Sequence, residues 1–166
     1  MAPQTLTSTP QPQRFPDLPD VLGALESGRL AAHAFDHRAH VFSAWAAMYQ
    51  FGTKVGAERF RYALKAYVRH LGAEDKFHVT ITEALLRLIA EQMPEAQTDA
   101  DRWQRAWRRF ELRAAPLLES SKSALAPYYS AALLALPAAR TCFIEPDLAP
   151  LPPWPVQSNP LEICHA

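Results

Sequence analysis

Apolar residues recur at helical spacing through most of this chain, and nowhere do they alternate with the two-residue period of a half-buried strand. In FDHRAHVFSAWAAMYQFG, at 100° per residue, His40, Val41, Ala44, Trp45 and Met48 all fall on the side of His37. In HVTITEALLRLI, Ile81, Thr82, Leu85, Leu86 and Ile89 share the side of His78, while Glu83, Arg87 and Glu91 collect opposite, with Glu83 placed to pair with Arg87 one turn on. Between these stretches, Phe60, Ala63, Leu64, Tyr67, Val68 and Leu71 form another apolar stripe. A fifth stretch puts Trp103, Ala106, Trp107, Phe110 and Ala114 on one face and Arg102, Arg105, Arg108 and Arg109 on the other.

Punctuation residues divide the pattern into helices. The first is expected from about Asp20 to Ser27, ended by Gly28. The second runs from an N-cap at Asp36 to Phe51 and closes at Gly52; the third runs from about Val55 to Leu71 and stops at Gly72. A fourth is expected after an N-cap at Asp75, reaching about Met93, and a fifth from about Thr98 to Ala115. The fold class that follows is all-α: a helical bundle of about five main helices with proline-rich, irregular termini. Pro3, Pro10, Pro12, Pro16 and Pro19 make residues 1–19 an extended or disordered arm; residues 20–145 are the bundle, and the proline-dense 146–166 a tail that wraps it.

At 166 residues, 49% of them hydrophobic and 20% charged, the chain has the composition of one ordinary globular domain. Its 17 basic residues match its 17 acidic ones, so no nucleic acid or anionic membrane is expected as partner, and the arginine row of the fifth helix reads as a solvated face. Cys142 and Cys164 lack C-x-x-C spacing, which argues against a zinc ribbon or a disulfide framework, and Cys142 reads as a small core residue. With no secretory signal and no membrane span in view, the expected residence is cytoplasmic. No serine sits in a G-x-S-x-G elbow, so a serine nucleophile has no support.

The histidines carry the candidate chemistry. In an up-down bundle the second and fourth helices begin at the same end, which would bring His37, His40 and His78 together pointing inward. Helix N-termini disfavour imidazolium, leaving ring nitrogens free to ligate, and an i, i+3 pair plus one histidine from elsewhere is a three-ligand set with open positions. The expectation is one divalent transition metal, Zn, Fe or Cu, on His37, His40 and His78. Thr82 could orient a ligand, His70 reaches the same end beside its apolar stripe, Glu111 could supply a carboxylate, and Tyr128 and Tyr129 could line the pocket.

Several motifs carry a resemblance: Phe35, His37, His40, Ala44 and Trp45; Lys76, Phe77, His78, Thr80 and Thr82; Tyr128, Tyr129 and Ser130; and Phe143, Glu145, Pro146, Asp147 and Leu148. Together they resemble a group of small, uncharacterised bacterial helical proteins, over most of the chain after the arm. That pattern usually has an acidic residue after the third histidine, where this chain has Val79. The resemblance implies that the histidines and the E-P-D-L ending belong to one design, with Glu145 or Asp147 helping to close the pocket.

The expected function is a small metalloprotein acting on a small-molecule substrate, with apolar walls favouring oxidative chemistry over hydrolysis. A non-catalytic metal-binding or small-ligand protein and a helical protein-interaction module are the alternatives.

Overall fold

The computed structural model describes residues 18–93 and 103–155. Among them there are helices and no strands. Four helices are long: α2 (His37–Phe51), α3 (Thr53–His70), α4 (Val79–Glu91) and α5 (Trp103–Arg113). They follow α1 (Val21–Glu26) and precede four short ones, α6 (Ala115–Glu119), α7 (Ser121–Leu125), α8 (Ala131–Leu134) and α9 (Pro137–Thr141). The all-α class read from periodicity is therefore what the chain adopts. No described helix is long and apolar enough to cross a membrane.

The starts and stops follow local chemistry. Asp20 caps α1 by accepting from the Gly23 N–H, and Asp36 caps α2 by accepting from Ala39 N–H at 2.8 Å. Gly52, at φ +85°, is the pivot between α2 and α3, which lets α3 start at Thr53 with almost no loop. The two helices then run in close contact at Gly56, where a Cβ would stand 2.4 Å from the Ala47 carbonyl oxygen and the Met48 Cα. Only glycine permits that approach.

The fourth helix departs from expectation. It begins at Val79, and its cap is His78 rather than Asp75. Asp75 instead lies in a short 3-10 turn, Glu74–Lys76, so the helical path restarts three residues later than the acidic residue suggested. The beginning expected for the fifth helix near Thr98, and Arg102 with it, lies outside the described residues. Its end falls at Arg113, because Pro116 opens the separate α6 in the first turn, where a missing N–H does no harm.

The core is continuous from Leu22 and Leu25 of α1 through Trp45, Phe60, Tyr67, Leu86, Ile89 and Phe110 to Leu125 and Tyr129. Along the seam of α2 and α5 the rings of Phe42, Trp45, Trp107 and Phe110 stack and tilt against one another at centroid distances of 4.9 to 6.3 Å. Arg105, Arg108 and Arg109 face outward from α5, as the wheel indicated. From Cys142 to Pro155 the described chain runs without helix, and Leu151 turns back into the core.

Two local readings are corrected here. Glu83 pairs with Arg61 of α3, whose Nη2 donates at 2.9 Å, and not with Arg87; Arg87 instead lies over the ring of Phe143 at 4.7 Å. Packing between α3 and α4 brings the Arg61 guanidinium to Glu83 with two nitrogens, Nε and Nη2, the bidentate form of ion pair that is the stronger one. Cys142 is exposed and free rather than a core residue: it ends α9 in extended backbone, and it is its carbonyl that faces inward.

Candidate functional site

The first turn of α2 holds two of the three expected histidines. His37 donates from Nε2 to the Leu117 carbonyl of α6 at 2.7 Å. A carbonyl only accepts, so the proton of the neutral ring is on Nε2 and the lone pair is on Nδ1. One turn on, the His40 ring stacks on Phe35 (centroids 5.4 Å apart, 18° between planes) and meets the edge of Phe60 at 5.2 Å. Phe35 in turn packs edge-on against Tyr67, whose hydroxyl donates to the Leu30 carbonyl at 3.0 Å. The surroundings of His40 are therefore mostly hydrocarbon. Burial pushes its pKa down to about 4, and the neighbouring His37 adds to the depression. His40 is uncharged at neutral pH.

His78 is built differently. It stands just before α4, where its Nδ1 accepts from the Ile81 N–H at 3.3 Å and its Nε2 donates to the Leu134 carbonyl of α8 at 3.0 Å. Both ring nitrogens are engaged, one as a helix cap and one as a tie to α8, so no lone pair remains for an ion. Among the described residues no group of three or more His, Cys, Asp or Glu side chains is arranged to hold a metal. The expected set of His37, His40 and His78 is thus not assembled as three ligands among the described residues. The physical reason is the late start of α4: as a cap residue with extended backbone, His78 turns its ring onto its own helix end instead of projecting it from a first helical turn.

The remaining candidates are placed one by one. His70, exposed at the end of α3, donates to the Glu26 carbonyl at 2.9 Å and serves the packing of α1 on α3. Glu111 forms an ion pair with Arg38, the residue after His37, and so ties α5 to the first turn of α2. Thr82 is buried on α4, and its backbone N–H bonds the His78 carbonyl. Tyr128 packs partly buried against the core, and its carbonyl accepts from the Leu148 N–H. Tyr129 is buried and donates from its hydroxyl to the Ile144 carbonyl at 2.8 Å; burial, with Glu145 nearby, pushes its pKa up to about 12. Glu145 is exposed. Asp147 accepts from the Ser130 N–H at 2.8 Å, and the Ser130 bonds hold its carboxyl below the usual aspartate value.

Thr80, named in the motif but with no role expected of it, completes this arrangement. Thr80, with 0% exposure, donates its hydroxyl to the Cys142 carbonyl at 2.8 Å and accepts from the Ile144 N–H at 3.2 Å. His78, Thr80, Tyr129 and Asp147 therefore form one clasp, in which motif side chains bind the backbone of α8 and of the segment after α9. The pointer available in sequence was the place of Thr80 in the motif with His78 and Thr82; no role followed from it, because Thr80 does not lie on the His78 side of the wheel.

Compared with known protein families, curated proteins and solved structures, the chain matches none.

Proposed function

We propose that the chain is a small metal-binding helical protein whose ion is held by His37 and His40. The observation that carries this reading is the bond from His37 Nε2 to the Leu117 carbonyl. A backbone carbonyl on the far ring nitrogen is how metal-ligating histidines are usually oriented, because it selects the tautomer and leaves the other nitrogen as a directed donor. His40, one turn away and neutral at physiological pH, supplies the second imidazole. Neutral imidazoles suit Zn, Fe and Cu alike. Two protein donors leave most coordination positions to water or a small-molecule ligand, the condition for oxidative or hydrolytic chemistry at such an ion.

The test is elemental analysis and calorimetric Zn²⁺ titration of untagged, full-length protein. We expect uptake by the parent chain and by His78→Ala, with at least tenfold weaker binding in His37→Ala and in His40→Ala. Absence of uptake by the parent, or undiminished affinity in the double variant, defeats the reading. A second reading, a helical protein-interaction module, draws support from Tyr62 and Leu112, which are 71% and 80% exposed on α3 and α5. It predicts no metal uptake at all.

A further inference from the structure

We infer that the outer face of α5 is a docking surface for an acidic helical segment of a partner protein, gripped by Arg105, Arg108 and Arg109 around Leu112. All four side chains are exposed, and on the helix they fall within about 100° of arc, with Leu112 between Arg105 and Arg108. Leu112 is 80% exposed, the largest fraction among the exposed large apolar side chains of the described residues. The one acidic residue of α5, Glu111, stands off this stripe and is taken by Arg38. Among the described residues Arg105 and Arg108 have no acidic partner. On the opposite side of α5, Ala106 and Phe110 are packed in the core, so the stripe is held rigidly outward.

Charge and shape select the occupant. Guanidinium groups one helical turn apart match carboxylates at the same spacing, and each fork can take a carboxylate through two N–H groups. The charges of the chain cancel as a whole, so the positive field of this stripe is local and suits a partner of opposite sign that touches it directly. A phosphate backbone would use the arginines and gain nothing from Leu112. A bilayer would need an apolar helix face, and α5 has given its own to the core. A helix with glutamates on both sides of an apolar residue uses the arginines and the leucine together, the mixture of Arg and apolar area found at protein interfaces. The inference goes beyond the readings above: it involves neither His37 nor His40, and its test is run in chelator, so its outcome and that of the metal titration are read separately.

The experiment is fluorescence anisotropy of the full chain with a labelled synthetic helical peptide that carries glutamates one turn apart on both sides of a leucine. Labelled duplex DNA and phosphatidylserine vesicles are the comparison probes. We expect the peptide to bind, and to bind at least tenfold more weakly at about 300 mM than at about 50 mM salt. Arg105→Glu combined with Arg108→Glu should cost at least tenfold in affinity and Leu112→Ser several-fold, while Arg108→Lys keeps most of it. These side chains are exposed, and unchanged circular dichroism checks that each variant is folded. No peptide binding overturns the inference, as does a loss in the arginine variant with none in Leu112→Ser, or a preference for DNA or vesicles over the peptide. Two other occupants overturn it as well. Peptide binding seen only after Glu95→Gln, Asp99→Asn and Asp101→Asn are made together assigns the stripe to this chain's own acidic stretch before α5, and self-association in sedimentation that Leu112→Ser abolishes assigns it to a second copy.

Discussion

Falling pH should destabilise this protein through His40. The ring titrates near its ordinary value of 6.5 in the unfolded chain and at about 4 when packed between Phe35 and Phe60. Between those values the unfolded chain carries a proton at this position that the folded chain does not, so unfolding takes up a proton and falling pH favours it. Stability is complete above the higher value and is lost as pH drops toward the lower one. A gap of about 2.5 units, at about 1.4 kcal/mol per unit, amounts to about 3.4 kcal/mol over the whole window. Stopping at about pH 4.5 realises about 2.5 kcal/mol of this, and the ring's residual solvent contact trims the effect to about 2 kcal/mol. The assay is urea unfolding followed by far-UV circular dichroism at about pH 7.5 and about pH 4.5, on the parent chain and on His40→Phe, which keeps a stacking ring that cannot titrate. The parent should lose about 2 kcal/mol more than the variant. Equal losses in the two would refute the assignment. Asp147 does not blur the comparison, because its carboxyl is held below 3.8 and the stability it lends is lost only further down the scale.

Other outcomes follow from the same contacts. His78→Ala removes both a helix cap and the tie to Leu134, and should lower stability by about 2 kcal/mol in denaturant titration while leaving Zn²⁺ uptake in place. Loss of Zn²⁺ from that variant with the fold unchanged would return His78 to the site. Thr80→Val leaves the Cys142 carbonyl and the Ile144 N–H without their partner in a buried setting, so we expect a loss of about 2 to 3 kcal/mol and faster proteolysis after residue 141. Gly56→Ala gains about 1 kcal/mol in helix propensity but forces a methyl to 2.4 Å from the α2 backbone, and the net result should be a lower melting temperature. A raised melting temperature would show that α2 and α3 can separate freely.

Much of the architecture was legible along the chain because it is local. A 3.6-residue apolar period, Asp20 and Asp36 as caps, and glycine at positions 28, 52 and 72 act over a few residues, so the helices from α1 to α3 follow from their own stretches of sequence. Even the orientation of His37 and His40 toward protein could be read, since a helix wheel needs only the helix. What no local rule contained was the identity of the acceptors. Whether an imidazole keeps a lone pair is decided by which backbone group lies against it, and the carbonyls of Leu117 and Leu134 come from 80 and 56 residues away.

The position of His78 shows the difference most clearly. Sequence alone placed it near the start of an amphipathic helix, and it is there. A shift of three residues in where that helix begins turned a prospective ligand into a cap, because the side chain of a cap residue bends back onto the N–H groups that the first turn leaves open. Thr80 is the converse case: a motif residue with no role expected of it, it became the fastening point for the C-terminal segment once folding laid Cys142 and Ile144 over it. Periodicity and caps determined the helices from sequence by itself, and tertiary packing decided which backbone groups the polar side chains meet, the Leu117 carbonyl for His37 and the Leu134 carbonyl for His78.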